Sequence, residues 1–376
     1  MQIAQHSWTA AAGWQGRPLD AAAEAQLVLY FAATDVTEQA KPEQALKSLY
    51  PSAHILGCTT GGEILGTDVM DGSVSAVAIH FDSSRVQVAQ ADISDPSQSL
   101  QVGERLARAL PTEGLRGIFV LSDGMLTNGS TLIDGLRSVL PDDISLTGGL
   151  AGDGANFRRT LVGLDGPAAS GKVALVGFYG DSLSFTCGSV GGWERFGPER
   201  DITRSEDNKL YELDGKPALD LYKRYLGDEA ANLPSSALFF PLTIRSPEDE
   251  KSAVVRTILG IEEETQAMIF AGDIPQGHIA QLMRGNFDGL IDGAGQAGDA
   301  AAGKGGTRLA LLVSCIGRKL LLGQSTCEEV EEVASRLGDG AVLTGFYSYG
   351  EIAPHGFTGR CELHNQTMTV TTIGEG

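Results

Sequence analysis

Basic residues are scarce in this 376-residue chain: 28 Lys and Arg stand against 48 Asp and Glu, a net charge of -20. A surface so acidic repels phosphate backbones and anionic lipid headgroups, which argues against nucleic acid and membrane partners. No apolar run reaches the roughly 20 residues a membrane helix needs. The opening Met-Gln-Ile-Ala-Gln-His-Ser-Trp has no charged segment leading into an apolar one, so a secretory leader is not expected. Cysteine is rare as well: Cys58, Cys187, Cys315, Cys327 and Cys361 are scattered and form no C-x-x-C pair. That usage excludes a disulfide framework and points to a reducing, cytoplasmic setting.

Catalytic and cofactor signatures are missing too. There is no Gly-x-Ser-x-Gly elbow, and Ser122-Asp123-Gly124, the nearest strand-end serine, has no His close by in sequence. The first strand runs into Ala32-Ala33-Thr34-Asp35 instead of a Gly-x-Gly-x-x-Gly turn, which disfavours a Rossmann cofactor. None of the six histidines forms His-x-x-x-His, so a helical zinc pair is absent, and Cys361 with His364 would point to opposite faces of a strand. His6, His54 and His80 read as hydrogen-bonded structural groups. Haem needs only one axial His in an apolar pocket, and spacing rules do not exclude it.

What the chain has is 49 glycines and an alternation of Val/Ile/Leu-rich runs with amphipathic stretches. This predicts an α/β protein with mixed sheets, preceded by a loose arm over residues 1–24. Strands are expected at 27–31, 55–59, 74–81, 86–93, 117–121, 144–146, near 159–164, and at 173–178 and 182–189. Helices are expected at 42–49, 100–110 and 130–140. Further on, a helix at 218–226 precedes strands at 237–244, 254–261 and 267–271. The spacing of Ile279, Leu282, Met283, Phe287, Leu290 and Ile291 predicts a long helix. The Gly/Ala-rich 292–306 reads as a flexible loop and not a phosphate loop, since Gly303-Lys304 lacks the following Ser/Thr. An amphipathic helix is expected at 326–337.

Three times a strand and helix are followed by a strand that ends in small residues and one acid. The segments are Leu56-Gly-Cys-Thr-Thr-Gly-Gly-Glu63, Leu146-Thr-Gly-Gly-Leu-Ala-Gly-Asp153 and Leu343-Thr-Gly-Phe-Tyr-Ser-Tyr-Gly-Glu351. Acids just past strand ends sit where α/β proteins collect ligands, so Glu63, Asp153 and Glu351 are expected to line a cleft or equivalent clefts. The densest polar cluster is at the carboxyl end. Tyr347 and Tyr349 precede Glu351, and alternation along one strand from Cys361 puts His364, Gln366 and Met368 on one face and Asn365, Thr367 and Thr369 on the other. One of these rows is expected to face a pocket. Glu351 and His364 also make an acid–base pair conceivable, which leaves an enzyme as the alternative to a binding protein.

At these residues the chain resembles the FIST family. The likeness rests on Gly57-Cys-Thr-Thr-Gly-Gly-Glu63-Ile, Gly149-Leu-Ala-Gly-Asp153, Gly192-Trp193 with Gly197-Pro198, Asp214-Gly-Lys-Pro-Ala218, Ala271-Gly-Asp273-Ile-Pro, Gly345-Phe-Tyr-Ser-Tyr-Gly-Glu351-Ile and Leu363-His-Asn-Gln-Thr-Met368. The resemblance implies an amino-terminal FIST domain over 25–215 and a carboxy-terminal one over 216–376. It implies a sensory, non-enzymatic protein that binds small ligands such as amino acids and acts through histidine kinases or other signalling proteins. Stand-alone members include the nitric-oxide-sensing haem proteins of the NosP type, which bind haem b and modulate a partner kinase in two-component control of biofilm. On that reading His364 is the expected iron ligand, followed by His355 and His278. Glu63, Asp153, Tyr347, Tyr349, Glu351, Asn365 and Gln366 are the expected ligand-site residues.

Overall fold

The computed structural model describes residues 1–20, 24–303 and 308–376. The expected alternation resolves into three units of one design. Each has a central strand parallel to the strand that follows its helix: Leu27–Ala32 with His54–Thr59, Leu115–Ser122 with Ser145–Leu150, and Arg308–Cys315 with Ala341–Ser348. On its other side each central strand pairs antiparallel with the unit's last strand, Ser73–His80, Lys172–Tyr179 or Met368–Glu375. That strand in turn pairs with the unit's first, Gln2–Thr9, Arg85–Asp92 or Leu183–Val190.

The units are tied in a ring by exchanged strands. Glu63–Leu65 leaves the first unit to pair with Ala341–Ser348 of the third. Gly350–Pro354 leaves the third to pair with Ser145–Leu150 of the second, and Val162–Leu164 leaves the second to pair with His54–Thr59 of the first. Three six-stranded mixed sheets result. Their apolar faces share one core, in which Phe31 of the first sheet stacks on Phe346 of the third at 4.8 Å between ring centroids, with Phe119 and Val176 of the second in the same cluster. Burial at this density on both faces explains the near-continuous apolar runs of the central strands.

An eight-stranded antiparallel sheet within residues 194–284 is inserted into the third unit, after its first strand. It carries the expected helix Ala218–Leu226 and has its own core around Ile202, Leu219, Tyr222, Met268 and Phe270.

Several expectations change. The loose arm is a hairpin, Gln2–Thr9 with Gly13–Gly16, and the first strand buries Ala4, His6 and Trp8 on alternate positions. A strand with one wet face needs an apolar residue only at every second position, so it looks polar as a segment. The expected long helix at 279–291 begins instead as the strand Ile279–Arg284 and becomes helical at Phe287. The helix Phe287–Ala301 then runs through the Gly/Ala-rich stretch read as a loop, capped by Asn286, whose side-chain oxygen accepts the Gly289 N–H at 2.6 Å. Small residues are required there by close packing, because a Cβ at Gly293 would lie 3.0 Å from the Gly192 backbone. Residues 304–307 of the expected loop lie outside the described residues. The expected strand at 237–244 starts with the 3-10 turn Ser235–Phe239, followed by the strand Leu242–Arg245.

Candidate functional site

Where the exchanged strands begin, the acids meet hydroxyls. Glu63 accepts the hydroxyl of Thr60 and, on its other oxygen, the Ser73 hydroxyl at 2.6 Å and N–H at 3.2 Å. Glu351 repeats the arrangement with the Ser348 hydroxyl at 2.6 Å and the Thr367 hydroxyl and N–H at 3.1 and 3.2 Å. Both carboxyls are fully buried. Burial pushes Glu63 up to about 7 and Glu351 up to about 8, against the opposing effect of these hydrogen bonds.

The third acid does not correspond. Counted from the glycines paired with the central strands, Gly57, Gly148 and Gly345, both glutamates fall six residues on, where the second unit has Gly154. Its carboxylate is supplied by Asp123, which sequence reasoning passed over beside the strand-end Ser122. Asp123 accepts the Thr160 hydroxyl at 2.8 Å, the Ser170 hydroxyl at 2.9 Å and the Gly171 N–H at 2.7 Å. An Asp followed by Gly at a strand end was the available signal. Ser122 itself is fully buried, with its hydroxyl unpartnered.

Asp153 instead organises the loop after its strand. It accepts the backbone N–H groups of Phe157, Arg158 and Arg159 at 2.8 to 2.9 Å and the hydroxyl of Tyr349. Tyr349 stacks on Phe157 at 4.3 Å and 14°, and burial with the neighbouring Asp153 raises its phenol well above the ordinary value.

Two clefts flank this Tyr349–Phe157 pair. The hub cleft, about 650 Å³, is polar, with Glu63, Asp153, Thr60, Asp35, Arg158 and Arg159 among its lining residues. The junction cleft, about 590 Å³, lies between the second unit and the inserted sheet, with Phe157 and Tyr349 on one side and Leu259, Phe270 and Asn208 on the other. Across the same junction Asn128 Nδ2 donates to Asp273 Oδ1 at 2.8 Å, while Asn128 Oδ1 caps the helix Gly129–Arg137.

The other expected site residues line neither cleft. Tyr347 is buried and donates to Glu329 at 2.7 Å, beside the fully buried ion pair of Arg318 and Glu329. The expected continuous last strand is broken: Cys361–His364 and Met368–Glu375 belong to different sheets, and Gln366 between them has φ 63. No alternating row can run through that turn. Asn365 and Gln366 face the inserted body, where Asn365 accepts the Thr257 N–H at 3.3 Å and Gln366 donates to the Leu238 carbonyl at 3.0 Å.

Of the three histidines expected as haem ligands, two have backbone carbonyl partners. His364 Nε2 is bonded to the Ala353 carbonyl at 3.0 Å, and its ring stacks on His355 at 5.9 Å. Burial lowers it to about 3, which leaves a neutral imidazole whose Nε2 donates to that carbonyl. His355 is bonded to the Ala253 carbonyl at 3.0 Å, and His278 sits in the turn before Ile279–Arg284. Among the described residues no group of three or more His, Cys, Asp or Glu could hold a metal ion. No helix there is long and apolar enough to cross a membrane.

The fold is a ring of exchanged strands with a cleft beside an inserted body, and comparison gives its family. The FIST N domain matches residues 26–216 and the FIST C domain residues 218–354; the chain belongs to the FIST family, whose domains are small-ligand-sensing modules of signal transduction. An uncharacterized protein of Methanocaldococcus jannaschii is 24% identical over 345 residues, which cover 82% of this chain and 64% of that protein. This chain thus spans less than two thirds of that relative. Among solved structures, cyanuric acid hydrolase from A. caulinodans aligns over 100% of this chain and 98% of its own, at 8% identity and a TM-score of 0.37. A second cyanuric acid hydrolase structure gives 9% identity and 0.32, covering 100% and 99%. Likenesses this slight assign neither fold nor activity.

Proposed function

We propose that this FIST protein is a cytoplasmic sensor whose ligand, an amino acid or metabolite of similar size, occupies the junction cleft. Binding there changes how the inserted body rests on the second unit, and a partner signalling protein reads the change. The observation that carries this reading is the exposure of Leu100, Met125 and Leu259, at 42%, 39% and 42%, on the walls of one cleft formed from two bodies. Large apolar side chains held open to water together mark a binding surface. The cleft volume suits a small organic ligand, and a site between two bodies converts occupancy into relative position. A histidine kinase as the partner rests on family membership, and the cytoplasmic setting on five free thiols.

The reading is non-enzymatic. Glu351 and His364, the conceivable acid–base pair, are both buried, and both are bonded within the fold. A thermal-shift screen of amino acids and metabolites tests the proposal. A ligand at about 100 times its Kd should raise the melting temperature by a few degrees, and Leu259→Asp should abolish the rise. No ligand-dependent shift would remove the junction cleft as the site. A Soret band lost in His364→Ala would replace the metabolite with haem.

A further inference from the structure

We propose that the junction cleft recognises its ligand as an organic ammonium, with the cationic head against Phe157 and beside Asp207, and the apolar remainder over Leu100, Met125 and Leu259. This rests on the cleft being the ligand site. Among the described residues Asp207 is the only charged side chain in its lining, and no Lys, Arg or His lines it. The hub cleft differs, since Arg158 and Arg159 offer handles for an anion there.

Charges behind the wall have the same sign. Asp273 stands one layer back on Asn128, and the carboxyl of Asp134, on the adjoining helix, is raised by desolvation and by Asp273. The cation in this layer is Arg256, behind Gly272, with Nε on the Asp273 carbonyl and Nη1 on the Leu363 carbonyl; it does not line the cleft. An anion placed in the cleft would face three carboxylates against one buried guanidinium. The net charge of -20 adds a field that gathers cations.

An aromatic face binds a cation without withdrawing it fully from water; Phe157 is the partly open ring of the lining, and Asp207 at an exposed turn keeps the head hydrated. One further group awaits a partner. Thr127 lines the cleft, and its hydroxyl is buried with no hydrogen-bond partner.

Calorimetry of the full chain with phenethylamine, 3-phenylpropanoate and 3-phenylpropan-1-ol as probes tests this, because the three share a body and differ in charge. Phenethylamine should bind about tenfold more tightly than the carboxylate, and more weakly as salt rises. Asp207→Asn should weaken it about threefold, and Phe157→Leu about fivefold. Asp207 has φ 49, a conformation Asn adopts readily, so this variant keeps the turn. Asp35→Asn, in the hub cleft, should leave phenethylamine unaffected. Equal binding of the alcohol or the carboxylate, still lost in Leu259→Asp, overturns the ammonium inference and leaves the site standing. Failure of every probe and metabolite to bind in a Leu259-dependent way overturns both.

Discussion

Glu63 and Glu351 occupy the same cradle in two different units: each carboxyl accepts a hydroxyl from three residues upstream and the hydroxyl and N–H of a Ser or Thr where the unit's last strand begins. The cradle pins the start of an exchanged strand to its unit of origin, so the acids act at the joints of the ring. Their position after strand ends follows from holding the fold together.

That role gives a pH dependence. Both folded pKa values, about 7 and about 8, lie above the ordinary carboxyl value of 4.5, so between pH 4.5 and 8 the native state binds more protons than the unfolded one. Stability contributed by these groups is full below 4.5 and falls as pH rises through the window, by up to about 1.4 kcal/mol per unit for each acid. Glu351→Gln should therefore gain on the parent protein as pH increases from 5 to 8. Urea denaturation at several pH values measures this; a difference independent of pH would mean that Glu351 is ionised throughout.

His364 has the opposite sign. Its folded value of about 3 lies below the ordinary 6.5, so its contribution is present above 6.5 and is lost as pH falls toward 3. His364→Ala should cost about 2–4 kcal/mol through the lost hydrogen bond and the cavity. It should also flatten the acid limb of the stability profile. A variant as stable as the parent but unable to bind ligand would return His364 to the ligand site.

Tyr349→Phe removes one hydroxyl that accepts the N–H groups of Asp153 and Phe157 at 3.1 Å and donates to the Asp153 carboxylate. A loss of about 1–3 kcal/mol is expected, since buried partners are left unpaired. Amide exchange should accelerate at residues 153–159, the segment gathered around Asp153. Unchanged protection there would show that the backbone contacts suffice.

At Gly345 a Cβ would lie 1.9 Å from the Leu312 carbonyl oxygen, inside the parallel pair of the third unit. Gly345→Ala should destabilise by more than about 3 kcal/mol, because the clash is with backbone that cannot step aside. Gly356→Ala, with nothing within 4 Å, is the control. Equal melting temperatures of the two variants would contradict the close approach.

Local chemistry determined much of this protein from sequence alone. Apolar runs with intervening amphipathic helices marked the strands of the three units, because a strand buried on both faces has no polar positions to hide it. The recurrent glycine-then-acid segment marked the joints, since glycine is demanded wherever strands approach this closely. Composition tilted against nucleic acid, and the motif set named the family.

Tertiary structure decided the rest. Which strand crosses to which sheet depends on pairing between segments far apart in the chain, and no local pattern encodes it. The part of helix Phe287–Ala301 from Asp292 onward looked like a loop because its glycines answer to neighbouring backbone rather than to helical propensity. The last strand looked continuous because a single residue at φ 63 is enough to break it. That His364 is buried against the Ala353 carbonyl was likewise invisible in the sequence. Asp123 and Asp153 exchanged roles, and the junction cleft stayed hidden, for one reason: a site is made by side chains from distant segments meeting in space, and only the packed fold says which of them meet.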